Sequence, residues 1–149
     1  MIAAPKTYAE WVNVLTMLKN KTNDEAVLSA MQRGTIEWQS GVAERFTSKL
    51  VDAVNSRINA ASDKFQLDIS RSGGNEGAII QAILRLRKEM AFLVKAMDLP
   101  AIPEKDRAAY KNLVIEQADK MQKSLEDSAK ADRTGRLASV IRNNKVNSF

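Results

Sequence analysis

Five acids, Glu104, Asp106, Glu126, Asp127 and Asp132, lie close together in the sequence and are its nearest approach to a reactive cluster. Paired carboxylates can share general acid and base roles, and carboxylate oxygens can hold a hard cation. Most of these acids, however, alternate with Lys at spacings of three or four, as a solvated, salt-bridged helix face does. The chain has no Cys, which removes disulfides, thiolate metal sites and cysteine nucleophiles together. It also has no His, the commonest general base near neutral pH and the commonest metal ligand. No EF-hand loop and no HExxH is present, and no GKS or GKT follows Gly73-Gly74 as a phosphate loop would require. The reading assigns no catalytic residue, no metal site and no cofactor, and it does not expect an enzyme.

Positive charge is concentrated at one end. Residues 133–149 hold Arg133, Arg136, Arg142 and Lys145 with no acid, which accounts for +4 of the formal net charge of +5. Clustered bases release counterions when they meet phosphate, so these four residues are the candidate contact to nucleic acid or to an acidic partner. Leu137, Val140 and Ile141 recur on one face, which predicts a short helix over 134–143 docked on the body of the same chain. Arg142, opposite that face, and Arg136, beside it, are expected to stay open to an external surface. Lys145 falls beyond the helix, and residues 146–149 are expected to fray.

Three further charges stand where apolar residues belong. Arg57, Asp68 and Arg87 each project on the apolar arc of their own helix, which marks them as buried or interfacial charges able to fix register between helices or subunits. The arcs are wider than one neighbouring helix can cover, so either the bundle covers both flanks or a second subunit does, and a homo-oligomer or a protein partner is the expectation. Trp11 and Trp38 could stack on bases, but a small helical hairpin needs large apolar anchors and both read as core.

The elements that position these residues are helical. Thr7 to Glu10 forms a capping box ahead of Trp11, Val14, Leu15 and Leu18, and Thr22 to Glu25 forms a second ahead of Val27, Leu28 and Met31. Gly34 then suits a left-handed helix end, giving a hairpin over 7–34. A long helix is predicted over 35–71, with Phe46, Leu50, Ala53, Val54, Ile58, Ala61, Phe65 and Ile69 on one arc and a kink at Ser40-Gly41. The outline resembles a helix-turn-helix, yet the start of this third helix carries Glu37 and no base before Arg45, which is wrong for reading DNA.

Gly73-Gly74-Asn75 makes a turn, with Asn75 or Ser72 capping a helix marked by Ile79, Ile83, Leu86, Met90, Leu93 and Met97. The segment 99–103 stops it, and Pro103 opens the next helix, over about 104–130. That helix turns Tyr110, Leu113, Val114, Ala118, Met121, Leu125 and Ala129 inward, and Asp132 or Thr134 caps the last one.

The chain of 149 residues, with 44% hydrophobic, 28% charged and only 5% aromatic content, is therefore expected to be all-α. The predicted architecture is an antiparallel bundle of three long helices with an N-terminal helical hairpin and a short basic C-terminal helix. Residues 1–132 form one helical domain, comprising the hairpin and a bundle over 35–131, and 133–149 form the basic helix and tail. No apolar run suits a membrane span and the N-terminus has no secretory pattern, so the expected place is the cytoplasm. Size, lack of catalytic residues and basic helical character resemble accessory proteins of phages and mobile elements, a resemblance of type that transfers no residue roles. The function expected is a non-catalytic helical assembly or adaptor protein acting through an oligomeric or partner interface. The alternative is a nucleic-acid-binding regulator or packaging factor that uses the basic tail.

Overall fold

Thr7 starts the first helix as its spacing predicts. In the computed structural model, which describes residues 2–37 and 41–149, the Thr7 hydroxyl accepts the Glu10 N–H at 3.2 Å and Glu10 Oε1 accepts the Thr7 N–H at 3.0 Å. Two otherwise unpaired donors of the first turn are thereby satisfied. Helix α1 (Tyr8–Lys19) buries Trp11, Val14, Leu15 and Leu18, and it packs against α2 (Asp24–Arg33), which buries Val27, Ala30 and Met31.

The second capping box does not form. Asn23 is the residue before α2, at φ 56°, and its side chain makes no cap; Lys21 also has positive φ, at 55°. The turn is closed instead from α1, with the Thr22 N–H on the Met17 carbonyl at 2.9 Å and the Lys21 N–H on the Leu18 carbonyl at 3.1 Å. Two side-chain-bearing residues are thus held in the left-handed region, which costs conformational energy.

Gly34 differs from expectation too. It is extended, at φ −71° and ψ 158°, not left-handed. A glycine is needed there for space, because a Cβ would come within 2.7 Å of Trp11 Cζ2. Next to it the Thr35 N–H donates to the Pro5 carbonyl at 2.9 Å, and the Thr35 carbonyl accepts the Trp11 indole N–H at 2.7 Å. Both backbone groups of Thr35 are thus held by distant partners, and residues 34–37 are not helical. Helix α3 is Val42–Arg71, and it opens after Gly41 at φ 81°. Trp38 and the Ser40 half of the expected kink lie outside the described residues.

Asn75 caps α4 (Glu76–Met97), its Oδ1 accepting the Ala78 N–H at 2.9 Å. Helix α5 (Glu104–Ala129) follows Pro103, and α6 (Arg136–Asn143) closes the set. The chain is all-α, with six helices and no strand among the described residues. No helix among the described residues is long and apolar enough to cross a membrane.

The chain divides into two compact units. Met1–Asn59 and Leu93–Lys111 make unit 1, and Ala60–Phe92 and Asn112–Phe149 make unit 2. In unit 1 the Trp11 indole meets the Phe46 ring edge-on, with centroids 5.1 Å apart and planes at 82°, among buried Leu18, Met31 and Leu50. In unit 2, Ile79, Ile83, Leu86 and Met90 of α4 are buried, as are Val114, Ala118 and Ala129 of α5. Those α5 residues share a line with Gln122, also buried. Leu113 stands far round the helix from that line and is 39% exposed, so the expectation that it faces inward does not hold.

Candidate functional site

The C-terminal segment docks further along the chain than its apolar spacing implies. Ile141 is buried, and so is Val146, beyond the end of α6. Gln122 binds both, its Oε1 accepting the Val146 N–H at 3.0 Å and its Nε2 donating to the Ile141 carbonyl at 3.5 Å. Asn147 adds a 2.9 Å bond from its amide to Asp119 Oδ1. The expected fraying at 146 and 147 is therefore corrected, because one buried amide side chain satisfies the backbone groups that would otherwise seek water. A Gln on an apolar helix line was the available signal.

The four tail bases are placed differently from one another. Arg136 Nε contacts Glu76 Oε1 at 2.9 Å, so this guanidinium is solvent-exposed but already paired, against the expectation that it stays open. Arg133, Arg142 and Lys145 are exposed and form no ion pair among the described residues.

Asp132 fixes the start of α6. Its Oδ2 accepts the Leu137 N–H at 3.0 Å, and its carboxylate accepts both the hydroxyl and the N–H of Thr134. The Leu137 N–H, then the two Thr134 donors, hold its carboxyl below the ordinary value of 3.8. A depressed carboxylate stabilises fully above its unfolded value, and the contribution is lost as pH falls through the folded value. Protection of the α6 amides from hydrogen exchange should accordingly weaken as pH drops below 3.8, and Asp132→Asn should remove that pH dependence.

The internal charges occupy two settings. Arg57 of α3 is 3% exposed and grips Asp24 of α2 with two parallel bonds, Nη1 to Oδ1 and Nη2 to Oδ2, each 2.9 Å. Nη1 also donates to the Leu18 carbonyl at 3.2 Å, so one side chain ties the end of α1 to the start of α2. In unit 2, Asp68 is half-buried and meets Arg85 at 3.2 Å and Lys64 at 4.0 Å. Arg87 is half-buried and forms no ion pair among the described residues.

A surface that sequence reasoning missed lies in unit 1, between the first turns of α3 and of α5. It is an open groove of about 700 Å³. Ala43, Glu44, Thr47, Ser48 and Val51 line one wall. Ile102 and Pro103, just before α5, and Asp106 and Tyr110 within its first turns line the other. The Thr47 hydroxyl and the Tyr110 hydroxyl share a 2.8 Å hydrogen bond that ties the two walls together. The α3 residues sit beside the buried Phe46 and Leu50 arc and are small or polar, so no pattern in the sequence distinguished them from solvated surface.

The acids of α5 are engaged locally. Asp127 pairs with Lys130 at 3.3 Å, and Glu126 accepts from Gln122 at 3.1 Å. No three acidic side chains among the described residues come together as a metal-holding group. The chain matches no protein-family model, no curated protein and no solved structure.

Proposed function

We propose that this chain is a non-catalytic helical assembly or adaptor protein that works through a protein interface. The supporting observation is the open groove of unit 1, a mainly apolar surface with two acids in its lining. Leu67 and Leu113 of unit 2, 46% and 39% exposed, add apolar surface of the same kind. Isolated exposed leucines are ordinary, so the groove carries the reading.

A second reading, nucleic-acid binding through the tail, is favoured by the three exposed bases Arg133, Arg142 and Lys145. The Arg136–Glu76 pair weakens it, because only three of the four tail cations are then free to displace counterions. Light scattering separates the two. Conversion of Arg133, Arg142 and Lys145 together to Gln should leave self-association and folding unchanged, since exposed charges contribute little to stability. Loss of association in that triple variant would overturn the protein-interface reading.

A further inference from the structure

We propose that the groove of unit 1 receives an amphipathic helix of a partner protein, with apolar anchors along one face and Lys or Arg on its flanks. The assignment rests on the reading of this chain as a protein that works through a protein interface. Three observations carry it: the exposure of the lining residues, the helical turns of α3 and α5 among them, and the sign of the charges in the lining.

Among the nine described residues that line the groove, Ala43, Glu44, Ser48 and Pro103 are exposed and Ile102 alone is fully buried. A cleft so open cannot enclose most of a small ligand's surface, as small-molecule sites do. An extended peptide has no strand edge to join among the described residues. The first turns of α3 on one side, and the 102–103 segment with the first turns of α5 on the other, instead leave a trough into which the side-chain ridge of a third helix can settle. Ala43, Thr47 and Ser48 are short enough to let such a helix approach the α3 backbone.

The lining is apolar through Val51, Ile102, Pro103 and the Tyr110 ring, which suits anchors at spacings of three and four. Glu44 and Asp106 are the charged residues that line the groove among the described residues. Each also complements the dipole of the helix whose first turn it occupies, so its presence has a structural reason as well. Together they set one sign of charge in the lining, which favours a partner with basic flanks and disfavours one with acidic flanks.

The test uses two synthetic helical peptides that share one apolar face, one flanked by Lys and one by Glu, titrated onto the full chain by fluorescence anisotropy at low salt. The Lys-flanked peptide should bind about tenfold more tightly, as two favourable contacts replaced by two repulsive ones imply. Glu44→Gln with Asp106→Asn should erase most of that difference. Ser48→Trp, at an exposed position, should weaken both peptides, with circular dichroism confirming that the helices remain. Equal affinity for the two peptides, binding by neither, or indifference to Ser48→Trp would overturn the groove assignment. Binding by neither peptide in a chain that still self-associates overturns this assignment alone. Loss of self-association in the tail variant, with peptide binding intact, strikes the broader reading without touching the groove.

Discussion

Asp24→Ala is expected to lower the free energy of unfolding by about 3 kcal/mol or more, although Asp24 itself is a partly exposed residue at the start of a short helix. The cost falls on its partner. The Arg57 side chain is 2% exposed, and both of its terminal nitrogens bond to Asp24. Removing the carboxylate takes two charge-assisted bonds from a cation held in a region of low dielectric. Breaking a buried pair from one side is far costlier than replacing both members by apolar groups of similar size. The double change Asp24→Leu with Arg57→Met should therefore recover most of the loss. Urea unfolding reads both: the midpoint should fall for the single variant with little change in slope, then return for the double. A single variant as stable as the parent would show that the pair is incidental to the fold.

Trp11→Ala should be equally severe, at about 3–5 kcal/mol. Trp11 is fully buried and meets Phe46 edge-on, and its indole N–H holds the Thr35 carbonyl at 2.7 Å. Truncation removes the ring, opens a cavity and leaves that carbonyl without its donor. Gly34→Ala should destabilise through the same ring from the opposite direction, since its Cβ would stand 2.7 Å from Cζ2. Thermal unfolding of the two variants and of their combination measures the coupling. Because both act on one contact, the combined loss should be smaller than the sum of the single losses. Strict additivity would contradict the packing described.

The helices themselves were legible because their determinants are local. Thr7 and Glu10 lie three residues apart, Asn75 lies three before Ala78, and Pro103 directly precedes α5, so pattern and structure agree at those ends. The features that were misread or missed depend on partners distant in the chain. Gly34 is a glycine because of a ring twenty-three positions earlier, and the backbone of Thr35 is held by Pro5 and Trp11, both distant in the chain. Val146 is ordered by Gln122, twenty-four positions away. Arg57 stood out in the sequence as a charge on an apolar arc, but nothing local named Asp24, thirty-three positions distant, as its counter-ion. The groove was invisible for a related reason. A concave surface is a property of two helices together, and each wall alone reads as an ordinary solvated face.

We propose above that this chain works by protein contact, and its state of association in solution bears on that proposal first. Light scattering through a dilution series, at low and moderate salt and with or without a short DNA duplex, tests it most directly. An apolar interface predicts a mass at least twice the 16.5 kDa of the chain at micromolar concentration. That mass should fall on dilution, resist added salt and need no duplex, because apolar contact is not screened. A mass fixed at 16.5 kDa that rises only when duplex is added, with the rise erased by salt, would contradict the account and give the function to Arg133, Arg142 and Lys145.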